Sequence, residues 1–493
     1  MAEENGFVAS FLGKFTVLKG AVRELWIIFG CKILTIVAYG LVNSTLVLWL
    51  SSDLGYSDVR AGFVIATWST MMTLFTVMIG SLVDAIGLRK AFLIGFGACL
   101  FARAVMAFFV SRWIALPLGL LPLALGEALM TPVMVAAVKR FATTAQRSMS
   151  FSIFYAMMNV GFAISGYTFD KVRTGLGEYG HYQLPLMGVT LSTYQTLILL
   201  GFLFTLPNLL IVYFWLRGGV EVTDQGVKIT PEQSKYPDEA LPRAIALSCR
   251  DALKDWARIF SNLWTQPAFY RFLVFLTLVV GVRLIFYHMH YTFPKYGIRE
   301  LGEGAPIGRI FGVLNPVLIV ILVPIVGALT QKMSAYRTVI IGSFIAASSV
   351  FFMAVPPTLF QPLADGWLGD LVAHRWFGIP GPVNPLYVSI VLSMVVLSIG
   401  EAFYSPRLYE YPAAIAPKGQ EGSYMALSLL PFFVAKFFVG TLSGFLLQSF
   451  CPAVGPRSSG TMWLIIGLMA MMTPAGLLIF RRYVQVHEAG RQE

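Results

Sequence analysis

The sequence has few charged residues. Only 12% of its 493 residues are Asp, Glu, Lys or Arg, whereas 57% are hydrophobic. A soluble domain does not need so large an apolar share for its core. Apolar runs of about 20 residues, the length that crosses a bilayer, recur from end to end. The sequence therefore predicts an all-α membrane protein with about twelve transmembrane helices.

The sequence also lacks the motifs of several classes of protein. It contains no Gly-x-x-x-x-Gly-Lys-Ser/Thr phosphate loop, and no Gly-x-Ser-x-Gly nucleophile motif occurs in a plausible context. The four cysteines have neither the spacing of a metal site nor that of a disulfide framework. We therefore predict that the protein has no catalytic residues, no metal and no cofactor.

The charge distribution suits a membrane protein. The net charge of +11 does not indicate nucleic-acid binding, because basic residues gather between the apolar runs without interleaved aromatic residues. The N-terminus has no basic region before a cleavage site, so we predict no removable signal peptide. Lys and Arg are most frequent in alternate loops, as at Lys139, Arg140 and Arg147. This bias predicts a multi-pass protein of the cell membrane with both termini in the cytoplasm.

One long polar stretch divides the chain. We expect an N-terminal six-helix bundle at 1–217, a cytoplasmic linker at 218–270, and a C-terminal six-helix bundle with a short cytoplasmic tail at 271–493. The linker begins loosely and then shows apolar residues at helical spacing, which predicts an amphipathic helix in the membrane interface or packed on the bundle. The predicted spans are 25–50, 61–82, 90–111, 116–138, 150–170, 195–216, 271–292, 311–330, 338–356, 386–410, 424–447 and 461–480.

A seven-residue string occurs twice, at matching places in the two bundles. Residues 126–132 read Gly-Glu-Ala-Leu-Met-Thr-Pro, and residues 400–406 read Gly-Glu-Ala-Phe-Tyr-Ser-Pro. The same shift aligns Gly166 with Gly440. The repeat indicates two pseudo-symmetric bundles produced by a parallel duplication of six spans.

Each copy of the string places a carboxylate, Glu127 or Glu401, deep in an apolar run. Ionisable residues at that depth are costly and are candidates for a functional site. Lys32, Arg283 and Lys436 lie at similar depth in other spans. Charges of both signs suit a zwitterionic or anionic organic solute, and internal salt bridges that hold helices together are the alternative interpretation.

A proline follows each carboxylate by five residues. We expect Pro132 and Pro406 to bend their helices beside Glu127 and Glu401, since proline removes a helical hydrogen bond. A carboxylate in such a place can exchange a proton when its surroundings change, so we hypothesise that Glu401, with Glu127 second, couples transport to protons. Arg103 lies in the third span, and we expect a structural role for it.

The turn between the second and third spans carries a further motif. Residues 80–90 read Gly-Ser-Leu-Val-Asp-Ala-Ile-Gly-Leu-Arg-Lys, which resembles the G-x-x-x-D-x-x-G-x-R-[KR] loop of the major facilitator superfamily. Residues 327–337 are a degenerate copy of this motif, with Gln331 in place of the Asp. The resemblance implies the fold of two six-helix bundles. It also implies a gating loop formed by Gly80, Asp84, Gly87, Arg89 and Lys90.

Three other strings resemble one branch of that superfamily, the proton-coupled oligopeptide transporters. Residues 151–161 are similar to its F-S-I-F-Y-x-x-x-N-x-G fifth span, 314–324 to its L-N-P…P eighth span, and 400–406 to its G-E-x-x-x-S-P tenth span. The resemblance implies that Asn159 and Glu401 contact a bound peptide, with Glu401 at its amino terminus. Asn315 of the eighth-span motif completes the candidate site.

The sequence departs from this branch at two places. The family carries E-x-x-E-R-F before a Tyr-Gly in its first span, whereas residues 32–38 contain none of these three charges. The family has Lys before the fourth-span proline, where Thr131 stands here. The residues tied in the family to proton coupling and to the peptide carboxylate are therefore replaced.

The motifs together predict a secondary active transporter rather than an enzyme. We expect proton-coupled symport of a small polar or zwitterionic, peptide-like solute by alternating access, in a monomer that contacts the lipid bilayer and no nucleic acid. One alternative is an exporter of drugs or organic anions. Another is a non-transporting sensor or a lipid scramblase on the same fold. The retained Asp84, Arg89 and intramembrane charges favour transport.

Overall fold

The computed structural model of the chain describes residues 18–185, 188–229, 236, 239–330, 333–408 and 430–484. Long helices dominate these residues, and the strands among them form two short antiparallel hairpins. In the described part of the chain, ten helices are long and apolar enough to cross a membrane. The protein is therefore a multi-pass membrane protein built from helices.

The first six predicted spans are all helical. Pro132 lies inside the fourth helix, and residues 115–120 of that helix are wound as a π-helix. A short hairpin of His181–Gln183 and Thr190–Ser192 precedes the sixth helix. The helices are α1 Arg23–Ser52, α2 Asp58–Ile86, α3 Leu88–Phe108, α4 Arg112–Arg140, α5 Thr144–Leu176 and α6 Thr193–Trp215.

The predicted amphipathic helix and the last six spans also form helices among the described residues, which leave out 409–429 of the tenth and eleventh spans. Short helical turns occupy much of 351–377, and π-helical Arg309–Leu314 precedes the eighth span. The helices are α7 Leu241–Leu263, α8 Pro267–Tyr291, α9 Phe293–Leu301, α10 Asn315–Leu329, α11 Ala335–Ser349, α12 Pro385–Tyr404, α13 Leu430–Phe450 and α14 Ser459–Ile479.

The helix is interrupted beside Glu401, where the sequence predicts that Pro406 bends it, and residues 407–408 are helical again. α12 ends at Tyr404, and residues 405–406 form a turn. Proline cannot donate the backbone hydrogen bond that would continue the helix, and it restricts the residue before it. The carboxylate of Glu401 therefore lies in the last turn of α12, whereas Pro132 remains inside α4.

The sequence predicts that the linker begins as an irregular segment, but residues 220–229 form a β-hairpin instead. Strands Val220–Thr223 and Gly226–Ile229 pair in an antiparallel hairpin. Val220 is buried in a hydrophobic cluster with residues of α1, α3 and α4. Asp224, in the turn of the hairpin, accepts a hydrogen bond of 2.9 Å from the N–H of Thr144, the first residue of α5. The hairpin thus satisfies a free N–H at the start of a spanning helix.

The chain forms two compact units. Unit 1 comprises Met1–Gly40, Met71–Phe162 and Ile198–Ala257, and unit 2 comprises Leu41–Thr70, Ala163–Leu197 and Arg258–Glu493. In unit 1 the buried side chains of α1, α3 and α4 pack into one hydrophobic cluster. The end of α1, the start of α2, the end of α5 and the start of α6 belong to unit 2, together with the last six helices.

The repeated string has the same structural role in each unit. In unit 1, a Cβ added to Gly126 would lie 2.9 Å from the carbonyl oxygen of Gly95, so α4 and α3 touch backbone to backbone. In unit 2, a Cβ added to Gly400 would lie 2.7 Å from the carbonyl oxygen of Gly342, so α12 and α11 do the same. Close helix crossings of this kind need small residues. The shared crossing explains why the glycine stands beside the glutamate in both copies.

Candidate functional site: buried charges in the two units

Unit 1 contains a buried ion pair between α3 and α4. The guanidinium of Arg103 donates to Oε1 of Glu127 and, at 2.5 Å, to Oγ1 of Thr205 in α6. The side chains of Arg103 and Glu127 are 2% and 6% exposed. A buried charge needs such a partner, because desolvation of a lone ion is costly. Arg103 therefore has a structural role, and it holds Glu127 in place.

Lys32 lies beside this ion pair. Its Nζ is 4.4 Å from the centre of the Phe154 ring of α5, a cation–π contact. Glu127 lies within electrostatic range of the Lys32 ammonium. The structure thus brings together two residues of the candidate site, Lys32 and Glu127, and adds Arg103 as a second cation around the same carboxylate.

Asn159 lies further along α5 and is also buried. Its side-chain amide donates a hydrogen bond of 3.0 Å to the carbonyl oxygen of Tyr155, one turn earlier in the same helix. This contact fixes the amide on its own helix. None of the contacts found in the described part of the chain joins Asn159 to Lys32 or Glu127.

Unit 2 holds the second repeated carboxylate. Nδ2 of Asn315, the first residue of α10, donates to Oε2 of Glu401 and to Oγ of Ser398, both at 3.0 Å. Ser398 in turn donates to the carbonyl oxygen of Met394 at 2.8 Å. Glu401 and Asn315 are only 9% and 7% exposed. Asn315 therefore fixes one oxygen of a carboxylate that is largely withdrawn from solvent.

Two cations of unit 2 lie along one face of α8. Arg283 is within electrostatic range of Glu401, and its guanidinium is 6.0 Å from the centre of the Tyr404 ring. Lys436 of α13 is 5.9 Å from the centre of the Tyr287 ring. Positions 283 and 287 are one helical turn apart and share a face. The structure therefore groups Glu401 with Arg283 and Asn315, and places Lys436 beside the next turn of that face.

The predicted gating loop is described in part. Gly87 separates α2 from α3 and has a φ of +86°, a conformation that favours glycine. Arg89 donates a hydrogen bond of 2.6 Å to the carbonyl oxygen of Tyr213, and Lys90 is exposed. Gly80 and Asp84 lie in α2. The surroundings of Gly80, the side chain of Asp84 and Gln331 of the degenerate copy are outside the described part of the structure.

Sequence reasoning missed a cluster of buried charges at the end of α5, in unit 2. Arg173 is fully buried, donates to Oε1 of Glu178 at 2.8 Å and pairs with Asp170 at 3.3 Å. Asp170 also accepts hydrogen bonds of 2.8 and 2.7 Å from the backbone N–H groups of Gly308 and Arg309. A carboxylate here neutralises the free N–H groups where the eighth span begins. α5 is thereby tied to the start of that span.

Glu178 lies in the loop after α5. Burial raises its pKa, but the hydrogen bond and charge of Arg173, with further hydrogen bonds from Tyr194 and the N–H of Gly304, lower it below the usual value. Glu178 is therefore ionised at neutral pH. The signal in the sequence that could have found this cluster is the presence of Asp170, Lys171 and Arg173 at the end of one span.

A second ion-pair cluster of unit 2 joins α2 to α9. Nζ of Lys295 is 2.7 Å from Oδ1 of Asp58, the first residue of α2, and Nη1 of Arg299 is 2.9 Å from Oδ2. Arg299 also donates to the carbonyl oxygen of Cys451, after α13, at 2.6 Å. The Asp58 carboxylate thus links two helical elements that are far apart in sequence.

Apolar helices in two repeats, with charges buried inside them, define a membrane transporter. The family model described as Major Facilitator Superfamily matches residues 28–379. The chain belongs to the major facilitator superfamily. A comparison with curated proteins finds no match.

Solved structures similar to this chain include transporters of the POT family. A POT family transporter in complex with 5-aminolevulinic acid has a TM-score of 0.68 and 16% identity, covering 94% of this chain and 97% of its own. A bacterial homologue of the human drug peptide transporters PepT1 and PepT2 has a TM-score of 0.64 and 16% identity, covering 93% and 99%. The predicted fold and class, a transporter and not an enzyme, are confirmed.

Proposed function

We propose that the protein is a secondary active transporter that carries a small polar or zwitterionic organic solute together with protons across the cell membrane. The observation that carries this proposal is the Glu401 carboxylate, which is buried in unit 2 and oriented by Asn315. An ionisable group at such a depth indicates a solute or ion pathway. The branch of the superfamily with the same fold supports this proposal.

Proton coupling follows from the neighbours of Glu401. Asn315 supplies one hydrogen bond, and Arg283 supplies the nearby positive charge. If α8 moves away from α12, the carboxylate loses that charge while it remains buried. An uncompensated charge in a dry environment is costly, so the carboxylate takes up a proton. Movement of the helices would therefore change the protonation of Glu401.

The chemistry of the solute follows from the charges within each unit. Unit 1 presents the ammonium of Lys32, and unit 2 presents Glu401 with Arg283. A carboxylate can bind an amine, and an ammonium can bind an acid. The similar structures include complexes with 5-aminolevulinic acid and with a thioalcohol conjugated peptide, and both proteins are POT family transporters. These complexes support an amino acid-like or peptide-like solute.

The remaining features fit this proposal. We propose that residues 1–217 and 271–493 are the two bundles of a monomeric transporter with both termini in the cytoplasm, and that Gly87, Arg89 and Lys90 belong to its gating loop. An organic-anion carrier is the second candidate, because Arg103 and Lys32 both surround Glu127 in unit 1. The solutes of such a carrier would lack an amine group for the Glu401 carboxylate to bind.

Uptake into proteoliposomes tests the proposal. Purified protein is reconstituted, a pH gradient is imposed, and the uptake of di- and tripeptides, amino acids, nucleosides and organic anions is measured. We expect gradient-driven uptake of at least one zwitterionic solute. Gradient-driven uptake of organic anions alone would support the second candidate. Uptake that ignores the gradient for every solute would exclude proton coupling.

A further inference from the structure

A cavity of about 280 Å³ lies within unit 2, next to the ion pairs of Asp58. It is bounded by the end of α1, the loop after α5, the start of α6 and one face of α9. Among the described residues, the two charged side chains that line it are both cations. Its polar lining consists of Ser51, Ser52, Tyr179, Tyr194, Lys295 and Arg299.

The two cations are buried and share one carboxylate. The side chains of Lys295 and Arg299 are 5% and 13% exposed, and both pair with Asp58. Glu178, which accepts a hydrogen bond of 2.6 Å from Tyr194, is already paired with Arg173. The two cations of the wall therefore share the single carboxylate of Asp58, while Asp53 lies beside the cavity and accepts hydrogen bonds from Ser52 and Ser192.

The donors of Lys295 are incompletely used. An ammonium group has three N–H donors. Ser51 and Asp58 each accept one of them. The third donor remains for an acceptor in the cavity, beside the Arg299 guanidinium and the hydroxyl group of Tyr179, whereas the Ser52 hydroxyl donates to Asp53.

We propose that this cavity binds a small organic carboxylate. Its two oxygens accept hydrogen bonds from Lys295 and Arg299, and its remaining polar atoms meet the hydroxyl groups of the wall. The volume corresponds to roughly nine water molecules at about 30 Å³ each. This space suits a short mono- or dicarboxylic acid.

Protection of an engineered cysteine tests the binding. Ser52→Cys is introduced into the full chain with Cys249→Ser, because Cys249 is partly exposed whereas Cys31, Cys99 and Cys451 are buried. Labelling of the detergent-purified protein by a maleimide is followed with sodium succinate or with sodium chloride at equal ionic strength. We expect succinate to slow labelling at least tenfold and chloride to have little effect.

Two further variants connect protection to the cations. Lys295→Gln is expected to abolish the protection, whereas Lys171→Gln, which removes an exposed cation of α5, is expected to retain it. If Lys295→Gln does not fold, Arg299→Lys is expected to weaken protection by removing the forked donor. Equal slowing by chloride, or protection that persists without Lys295, would overturn the proposal. No gradient is used, so a failure here is distinct from a failure of the proposed transport function.

Discussion

Asn315 donates its side-chain amide to the carboxylate of Glu401 over 3.0 Å, and so connects the first turn of α10 with the last turn of α12. The same amide nitrogen also reaches Ser398 at 3.0 Å. One amide group therefore sets the position of the buried carboxylate, and a change at either end of this bond should alter transport.

Glu401→Gln should abolish proton-driven uptake. The variant keeps an acceptor for Asn315 but cannot ionise, so at least a tenfold loss of pH-driven accumulation is expected in proteoliposomes. Exchange of solute without a gradient should be less affected, because it needs no net proton movement. Ser398→Ala is the matched control, since it removes the other partner of Asn315 and leaves the carboxylate. Full gradient-driven uptake by Glu401→Gln would contradict the coupling role.

Arg103→Gln should destabilise the protein. It leaves the carboxylate of Glu127 buried without its ion-pair partner, at a cost of about 3–5 kcal/mol. The apparent unfolding temperature in detergent should fall clearly, and the double change Arg103→Met with Glu127→Leu should recover much of the loss, because both charges are gone. Arg60→Gln, at an exposed arginine of α2, is the control. Equal unfolding temperatures for Arg103→Gln and Arg60→Gln would show that the pair does not stabilise the fold.

Lys32→Leu should weaken the transport of solutes that carry a carboxylate. A charged hydrogen bond contributes about 1.5–3 kcal/mol, so KM for such a solute should rise by about tenfold or more. The KM of the corresponding amide should change less. Kinetics of the acid and amide forms, with Lys139→Leu as an exposed control, measure this difference. The same rise for both forms would assign Lys32 to packing against Phe154 instead.

Glu178→Gln should change the acid stability of the protein. Because Arg173 lowers the pKa of Glu178 in the folded state, its ionised form contributes stability above the unfolded pKa of about 4.3. That contribution is lost as the pH falls through the folded pKa. The variant should therefore unfold at a lower temperature than the wild type at pH 7, with the difference shrinking below about pH 4. Profiles that stay parallel from pH 7 to about pH 3 would refute the linkage.

The helices could be predicted because hydropathy is a property of one segment at a time. The first span, expected at 25–50, is Arg23–Ser52, and the ninth, expected at 338–356, overlaps Ala335–Ala354. Each needs only an apolar run of bilayer length. The hairpin at 220–229 escaped prediction because its four-residue strands are too short to show a clear alternation.

The partners of the charged residues could not be predicted. Arg103 and Glu127 were both recognised as intramembrane charges, but their pairing depends on how α3 crosses α4, 24 residues away. Asp170 reaches a backbone N–H 139 residues away, at Arg309. The sequence identifies which ions must be buried, whereas the packing of helices decides which of them meet.

Two helix crossings in unit 2 contain almost no side chain. A Cβ on Gly166 would lie 2.5 Å from the carbonyl oxygen of Gly308, and one on Gly62 would lie 2.5 Å from that of Gly440. Side chains that interdigitate resist sliding, because every ridge must leave its groove. Two backbones in contact have no interdigitating side chains, so we expect the helices to rotate more easily at these crossings. We therefore expect the hydrogen bonds and ion pairs of Asp58 and Asp170 to be the main resistance to rotation at these crossings, and water that reaches them to weaken that resistance.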